Sequence, residues 1–310
     1  MADAAFPYTQ HHLGFAACSP DNGQQPLLVL GLPFDGAVTH RPGARMAPQA
    51  IRQSSLMLCD AHHPLFQVSP LPYVGDAGDV LIPNASGLSA AREVIEAKLS
   101  QFNGRHLVCL GGDHSVTLSI LRNLAKTHGR LALIHFDAHC DTWSDHFGEP
   151  SGHGTWVYEA FQEGLIEPSQ CVQIGIRSSG DVAAREYVEH QGGAIYTARQ
   201  LRGKDGDGLR QIIDDIVDRI GDAPVYLTLD IDCLDPAFAP GTGTPEPGGL
   251  STSQVLTFLE ELAPLQWVGM DCVEVSPPYD HAELTSNAAA HFVWTYLSAR
   301  AARLADQECS

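Results

Sequence analysis

The stretch Leu131-Ala-Leu-Ile-His-Phe136, followed without a break by Asp137-Ala-His139-Cys-Asp141, decides how the rest of the chain is read. The run Leu131–Phe136 is apolar at both parities except at His135. It is short for a helix and reads as a strand buried on both faces of a parallel sheet. Directly after it, Asp137, His139 and Asp141 stand at i, i+2 and i+4, so their side chains project to one side while the chain stays extended. The same design recurs where Val225-Tyr-Leu-Thr-Leu229 runs into Asp230-Ile-Asp232-Cys-Leu-Asp235. It recurs again where His106–Leu110 runs into Gly111-Gly112-Asp113-His114, whose glycines let the backbone turn tightly and deliver a histidine.

Leu27–Leu32, Cys171–Ile176 and Trp267–Val275 are further strand candidates. Helical patterns fall at Ser89–Phe102, Val116–Lys126, Thr155–Glu163, Gly208–Ile220, Ser251–Leu262 and Leu284–Ala305. This alternation predicts an α/β fold, with helices on both faces of a mostly parallel central sheet. No linker, repeat or low-complexity tract divides the chain, so residues 1–310 read as one domain. Ligands of such folds bind beyond the carboxyl ends of the strands, and that is where the acidic clusters lie.

The 310 residues include 18 Lys+Arg against 37 Asp+Glu, a net charge of −19. A nucleic-acid binder needs a basic stripe, and none exists here; anionic membrane surfaces are disfavoured for the same reason. So acidic a chain should attract cations, either metal ions or positively charged substrates. No apolar run approaches the ~18 residues of a membrane span, and Met1–Pro20 has neither the basic residues nor the apolar centre of a secretory signal. Eight cysteines form no Cys-x-x-Cys pair. Cys109, Cys171, Cys233 and Cys272 lie in apolar runs and read as buried, reduced thiols of a cytoplasmic protein.

Carboxylates at buried strand ends repel one another and lose hydration, so something positive must sit between them. Four aspartates and two histidines exceed the needs of one ion; with carboxylates bridging, they suit two ions about 3.5–4 Å apart. Oxygen-rich ligation with minority imidazole fits Mn²⁺ better than structural Zn²⁺, with Ni²⁺, Co²⁺ and Fe²⁺ left open. His135 reads as a histidine behind this site or in the core, and the pairs His11–His12 and His62–His63 as exposed.

Together, Gly111-Gly112-Asp113-His114, Asp137–Asp141 and Asp230–Pro236 resemble the signatures of the arginase/agmatinase (ureohydrolase) family. The resemblance extends from Pro33-Phe-Asp35 and Pro42-Gly-Ala-Arg45 to Val273-Glu274-Val275, and Val225–Pro245 is most similar to bacterial agmatinases. It implies a three-layer α-β-α fold and a binuclear Mn²⁺ hydrolase that cleaves a small guanidino compound, agmatine foremost, to urea and an amine. It implies one ion on His114, Asp137, Asp141 and Asp230, and a second on Asp137, His139, Asp230 and Asp232. The family's catalytic histidine in a His-Gly step matches His153-Gly154, and its substrate-facing glutamate matches Glu274. Asp141 then stands beside the nucleophile as a proton carrier. The family usually forms trimers or paired trimers, so a homo-oligomer is expected.

Substrate choice is expected in the loop Thr142–Gly152. Arginases of the family place a Ser-x-Asn element before the His-Gly step to hold an amino-acid carboxylate, whereas this chain has Glu149-Pro-Ser-Gly152. A cationic or neutral tail is therefore expected, with Asp145 or Glu149 as candidates to bind a distal amine and Trp156 as a residue that shapes the pocket. Guanidinobutyrate, guanidinopropionate, guanidine and formiminoglutamate hydrolases are the nearest rivals, and an acidic tail would call on Arg41, Arg45 or Arg177. Outside the family stand a metal-independent cysteine deiminase, which needs a thiolate activated by histidine, and a non-catalytic subunit.

Overall fold

The computed structural model describes residues 13–59 and 62–308. Its eight strands are β1 (Leu27–Gly31), β2 (Val74–Asp79), β3 (His106–Leu110), β4 (Leu131–Phe136), β5 (Ile166–Ile174), β6 (Ala194–Tyr196), β7 (Val225–Asp230) and β8 (Trp267–Val273). They form one sheet in the order β2-β1-β3-β8-β7-β4-β5-β6, and every pairing between them is parallel. The helices are α1 (Ala47–Ser55), α2 (Leu88–Leu99), α3 (Thr117–His128), α4 (Trp156–Gln162), α5 (Val182–Arg185), α6 (Tyr187–His190), α7 (Ala198–Leu201), α8 (Gly206–Ile220), α9 (Thr252–Glu261) and α10 (Leu284–Glu308).

Strand parity sorts the core into two halves. Val29, Val108, Ile134 and Leu227 join α1, α8, α9 and α10 on one face, while Leu28, Leu107, Leu133 and Tyr226 join α2, α3 and α4 on the other. The expected three-layer α/β fold is therefore the one found. Two strands were not legible in the sequence. β2 reads Val-Gly-Asp-Ala-Gly-Asp and β6 is only three residues long, and both are edge strands, which need no apolar run to cover two faces. β5 also starts at Ile166, before the expected Cys171. The α9 start follows its sequence signal, because Ser251 and Gln254 form a reciprocal cap.

Among the described cysteines, Cys18, Cys109, Cys140, Cys171, Cys233 and Cys272 are buried and unpaired, and Cys59 is exposed. No helix of the described residues is long and apolar enough to cross a membrane. The pair His11–His12 lies outside the described residues. Of the other pair, His62 is exposed but His63 is buried, correcting the expectation; its ring packs 4.7 Å from those of Phe66 and Trp294.

One buried ion pair ties α1 to the edge of the sheet. Arg52 donates to both carboxylate oxygens of Asp76, at 2.8 and 2.9 Å, and to Asp79 at 2.6 Å. Asp76 also accepts the backbone N–H of Phe15 at 2.9 Å, fastening the N-terminal segment. Removing one partner would strand a charge without water, which costs about 3–5 kcal/mol. Asp76→Ala is thus expected to destabilise the protein by about that much in urea unfolding, whereas Asp207→Ala, at an exposed pair with Arg210, should stay within about 0.5 kcal/mol of the parent.

Candidate metal centre

Strands β3, β8, β7 and β4 are consecutive in the sheet, so the segments that follow them end side by side. After β3, Gly112 passes so close to Phe34 that a Cβ there would lie 1.8 Å from its carbonyl oxygen. Asp113 then caps the turn: its carboxylate accepts Ser115 N–H at 3.0 Å and, from the opposite loop, Ala37 N–H at 2.9 Å. This leaves Asp113 a structural role and turns His114 inward. Asp141 and Glu274 both sit at positive φ, 53° and 62°, a conformation L residues adopt at a cost and one that recurs at functional sites.

His114 Nδ1 lies 3.1 Å from Asp137 Oδ2, 3.3 Å from Asp141 Oδ2 and 3.1 Å from Asp230 Oδ2. His139 Nδ1 lies 3.2 Å from Asp137 Oδ1 and 3.1 Å from Asp232 Oδ2. Asp137 therefore turns one oxygen to each imidazole. Asp230 Oδ2 faces His114 Nδ1, and its second oxygen accepts Asp232 N–H at 2.8 Å. All four aspartates and His114 are buried, and His139 is nearly so. Their ion-pair partners among the described residues are histidines, never Lys or Arg.

That arrangement is electrostatically costly. Burial and the Asp137 charge push Asp141 up to about 8. Burial, with Asp232 and Asp137 beside it, holds Asp230 well above the usual carboxylate range, and Asp232 is raised by burial as well. Burial would also raise Asp137, but hydrogen bonds from His114, His135 and His139 hold it well below its ordinary value. Burial works against a charged His114, yet Asp137 and Asp141 together push it up to about 9. The donor set, four carboxylates with two imidazoles, fits hard divalent cations.

His135, 2.8 Å from Asp137 Oδ2, is close enough to be a ligand. Its other nitrogen, Nδ1, accepts from the amide of Gln173 at 3.0 Å, so the proton is on Nε2 and points at Asp137. His135 thus stands behind the site and orients Asp137, as the sequence suggested. Trp156 does not shape the pocket as expected. It is fully buried, its indole N–H donates to Asp141 Oδ2 at 2.7 Å, and its ring lies 4.7 Å from that of His114. It orients a carboxylate from behind and presents no surface to a substrate.

Glu274 Oε1 accepts His114 N–H at 2.9 Å and lies 3.0 Å from His153 Nδ1, while Oε2 is buried with no hydrogen-bond partner. On its far side, His153 Nε2 faces Thr39, whose N–H and hydroxyl lie at 3.1 and 2.9 Å. Burial opposes charge on His153, but Glu274, Asp141 and Asp113 push it up to about 9. Above it opens a cavity of about 550 Å³ lined by Thr39, His146, Phe147, Glu149 and His153 among others. His146, which sequence reasoning passed over, stacks between Trp143 and Phe147 with ring centroids at 4.9 and 4.5 Å. Asp145 is outside this lining and accepts Gly148 N–H at 2.9 Å, a turn contact, whereas Glu149 is on the wall.

A polar row was also overlooked. Gln173, His135, Thr228 and Asp271 are register partners across β5, β4, β7 and β8, directly beneath the carboxylates. The signal was present as a polar residue breaking an apolar run, two positions before Asp137 and Asp230.

The arginase-family model matches residues 25–298. The agmatinase of Chromobacterium violaceum is 44% identical over 274 residues, covering 85% of this chain and 80% of that protein. The crystal structure of a hypothetical agmatinase from Burkholderia thailandensis superposes with a TM-score of 0.86 at 38% identity, covering 95% of this chain and 92% of that one. Proclavaminate amidino hydrolase from Streptomyces clavuligerus superposes with a TM-score of 0.84 at 37% identity, over 93% and 96% of the two chains. The fold, the buried carboxylate cluster at its strand ends and these likenesses agree: the chain belongs to the arginase family.

Proposed function

We propose that this protein hydrolyses the guanidinium group of a small cationic guanidino compound, agmatine foremost, to urea and an amine. The observation that carries the reading is the meeting of His114, Asp137, His139, Asp141, Asp230 and Asp232 at buried strand ends with no Lys or Arg among the described residues paired to them. Two divalent cations held by these residues, Mn²⁺ by the chemistry of the set, would acidify a shared water and supply the nucleophile.

The chain's own groups do the rest. Glu274 Oε2 has no partner, and Gly243 leaves the space in front of it open, since a Cβ there would stand 3.5 Å away. A guanidinium N–H donating to Oε2 satisfies that carboxylate and fixes the plane of the substrate. His153 carries a proton on Nδ1 beside Glu274 and gives it to the departing amine as general acid. Asp141, freed of its proton once cations are bound, would take up the proton lost by the attacking water.

The cavity supports a cationic tail over an acidic one. Its lining includes Glu149 and the His146–Phe147 aromatic pair but no Lys or Arg. The arginines that an acidic tail would need are engaged elsewhere. Arg45 pairs with Asp35 and Asn84, Arg177 donates to backbone carbonyls including Asp232 O and Glu246 O, and Arg41 stacks over Tyr279. The relatives named as agmatinases point the same way. A cysteine deiminase has no support here: Cys140, the cysteine inside the Asp137–Asp141 segment, is buried and its thiol is pushed up by burial.

The reading is tested by urea release from Mn²⁺-loaded protein with agmatine, arginine, guanidinobutyrate, guanidinopropionate and guanidine. Agmatine should lead; no urea from any of the five would defeat the reading. His153→Asn should lower kcat by about 10²- to 10⁴-fold with metal content unchanged, as checked by elemental analysis of the same samples. Metal binding should also release protons, because cations displace them from Asp141 and His114, both raised in the metal-free site. Affinity for Mn²⁺ should therefore rise from pH 6 to pH 8, and the heat of binding should vary with the ionisation enthalpy of the buffer.

A further inference from the structure

Asp271 is fully buried in the middle of β8 and is paired with no Lys or Arg among the described residues. Its carboxylate instead collects three hydroxyls: Thr117 Oγ1 at 2.7 Å, Tyr226 OH at 2.9 Å and Thr228 Oγ1 at 2.5 Å. A carboxylate accepts and does not donate, so each hydroxyl must spend its single proton on it. Thr228 Oγ1 is then left with lone pairs only, and it lies 2.8 Å from His114 Nε2. That contact requires the His114 proton to be on Nε2. Nδ1, the nitrogen within 3.3 Å of Asp137, Asp141 and Asp230, is then the one whose proton a cation can displace.

We propose that Asp271 is a positioning residue for the metal centre, acting through Thr228 to fix the His114 imidazole in the tautomer that can ligate. Register places the relay: Thr228 pairs with Asp271 across β7 and β8, and with His135 across β7 and β4. Without the Asp271 carboxylate the Thr228 hydroxyl is free to donate to Nε2, which moves the imidazole proton to Nδ1 and turns an N–H toward the site. The Trp156 ring packs against the rings of both His114 and His135. The inference rests on the proposed cation site, but not on which guanidine is cleaved.

The test is binding of Mn²⁺ to metal-free protein, measured by equilibrium dialysis, beside the unfolding midpoint of each metal-free variant. Thr228→Val, which keeps the shape and removes the relay, should weaken binding about 10- to 100-fold, and so should Asp271→Asn. The double variant should lose little more than either single one, because both break the same chain of hydrogen bonds. Thr228→Ser should bind within about threefold of the parent. Thr228→Val binding as tightly as the parent, while folded, overturns the proposal; so does a double variant whose loss is the product of the single losses. Absence of Mn²⁺ binding by the parent would instead overturn the metal-centre reading itself, and lack of urea release with normal binding would touch only the substrate.

Discussion

Four carboxylates are driven together at the buried ends of adjacent strands, and this repulsion is the constraint on which the rest of the structure depends. Folding places Asp137, Asp141, Asp230 and Asp232 where water cannot solvate them and where only imidazoles answer them. Charges so placed are tolerable when protonated or when a cation lies between them. The raised Asp141, Asp230 and Asp232 describe the first condition, and the family to which the chain belongs makes sense of the second. Protons and cations thus compete for one set of oxygens, which links loading of the site to pH.

Beneath the carboxylates, hydrogen bonds set direction where charge alone could not. Gln173 fixes His135, which turns its N–H on Asp137; Trp156 fixes Asp141; Asp271 and Thr228 face the rear of His114. Each supporting group is rooted in a strand or at the start of a helix, so the scaffold's rigidity passes to the site. The cavity side is built differently. Thr39, His146, Phe147 and Glu149 come from loops, apart from the strand ends that carry the centre.

Much of this was legible because the chemistry falls at fixed places in short strands. The apolar runs alternating with helical patterns pointed to the parallel sheet, and the i, i+2 spacing after Leu131–Phe136 and Val225–Leu229 to its acidic end. β2 and β6 stayed hidden because an edge strand can be polar or very short. Trp156 was misplaced because adjacency to the His153-Gly154 step says nothing about which way a helix turns its first residue; here it turns into the core. Asp271 and Thr228 were overlooked because, in sequence, one polar residue in an apolar run looks like an imperfection. Only the register shows that such residues line up across neighbouring strands.

The net charge of −19 acquires a partial explanation, since four of its aspartates belong to this cluster and the lining of the cavity above holds no Lys or Arg. Whether the cluster is a two-cation centre decides what chemistry it can perform. Anomalous diffraction at the manganese edge, from crystals grown with Mn²⁺, addresses this directly. Two peaks are expected, one beside His114 and Asp141 and one beside His139 and Asp232, with Asp137 between them. A single peak, or none at these residues, would contradict it.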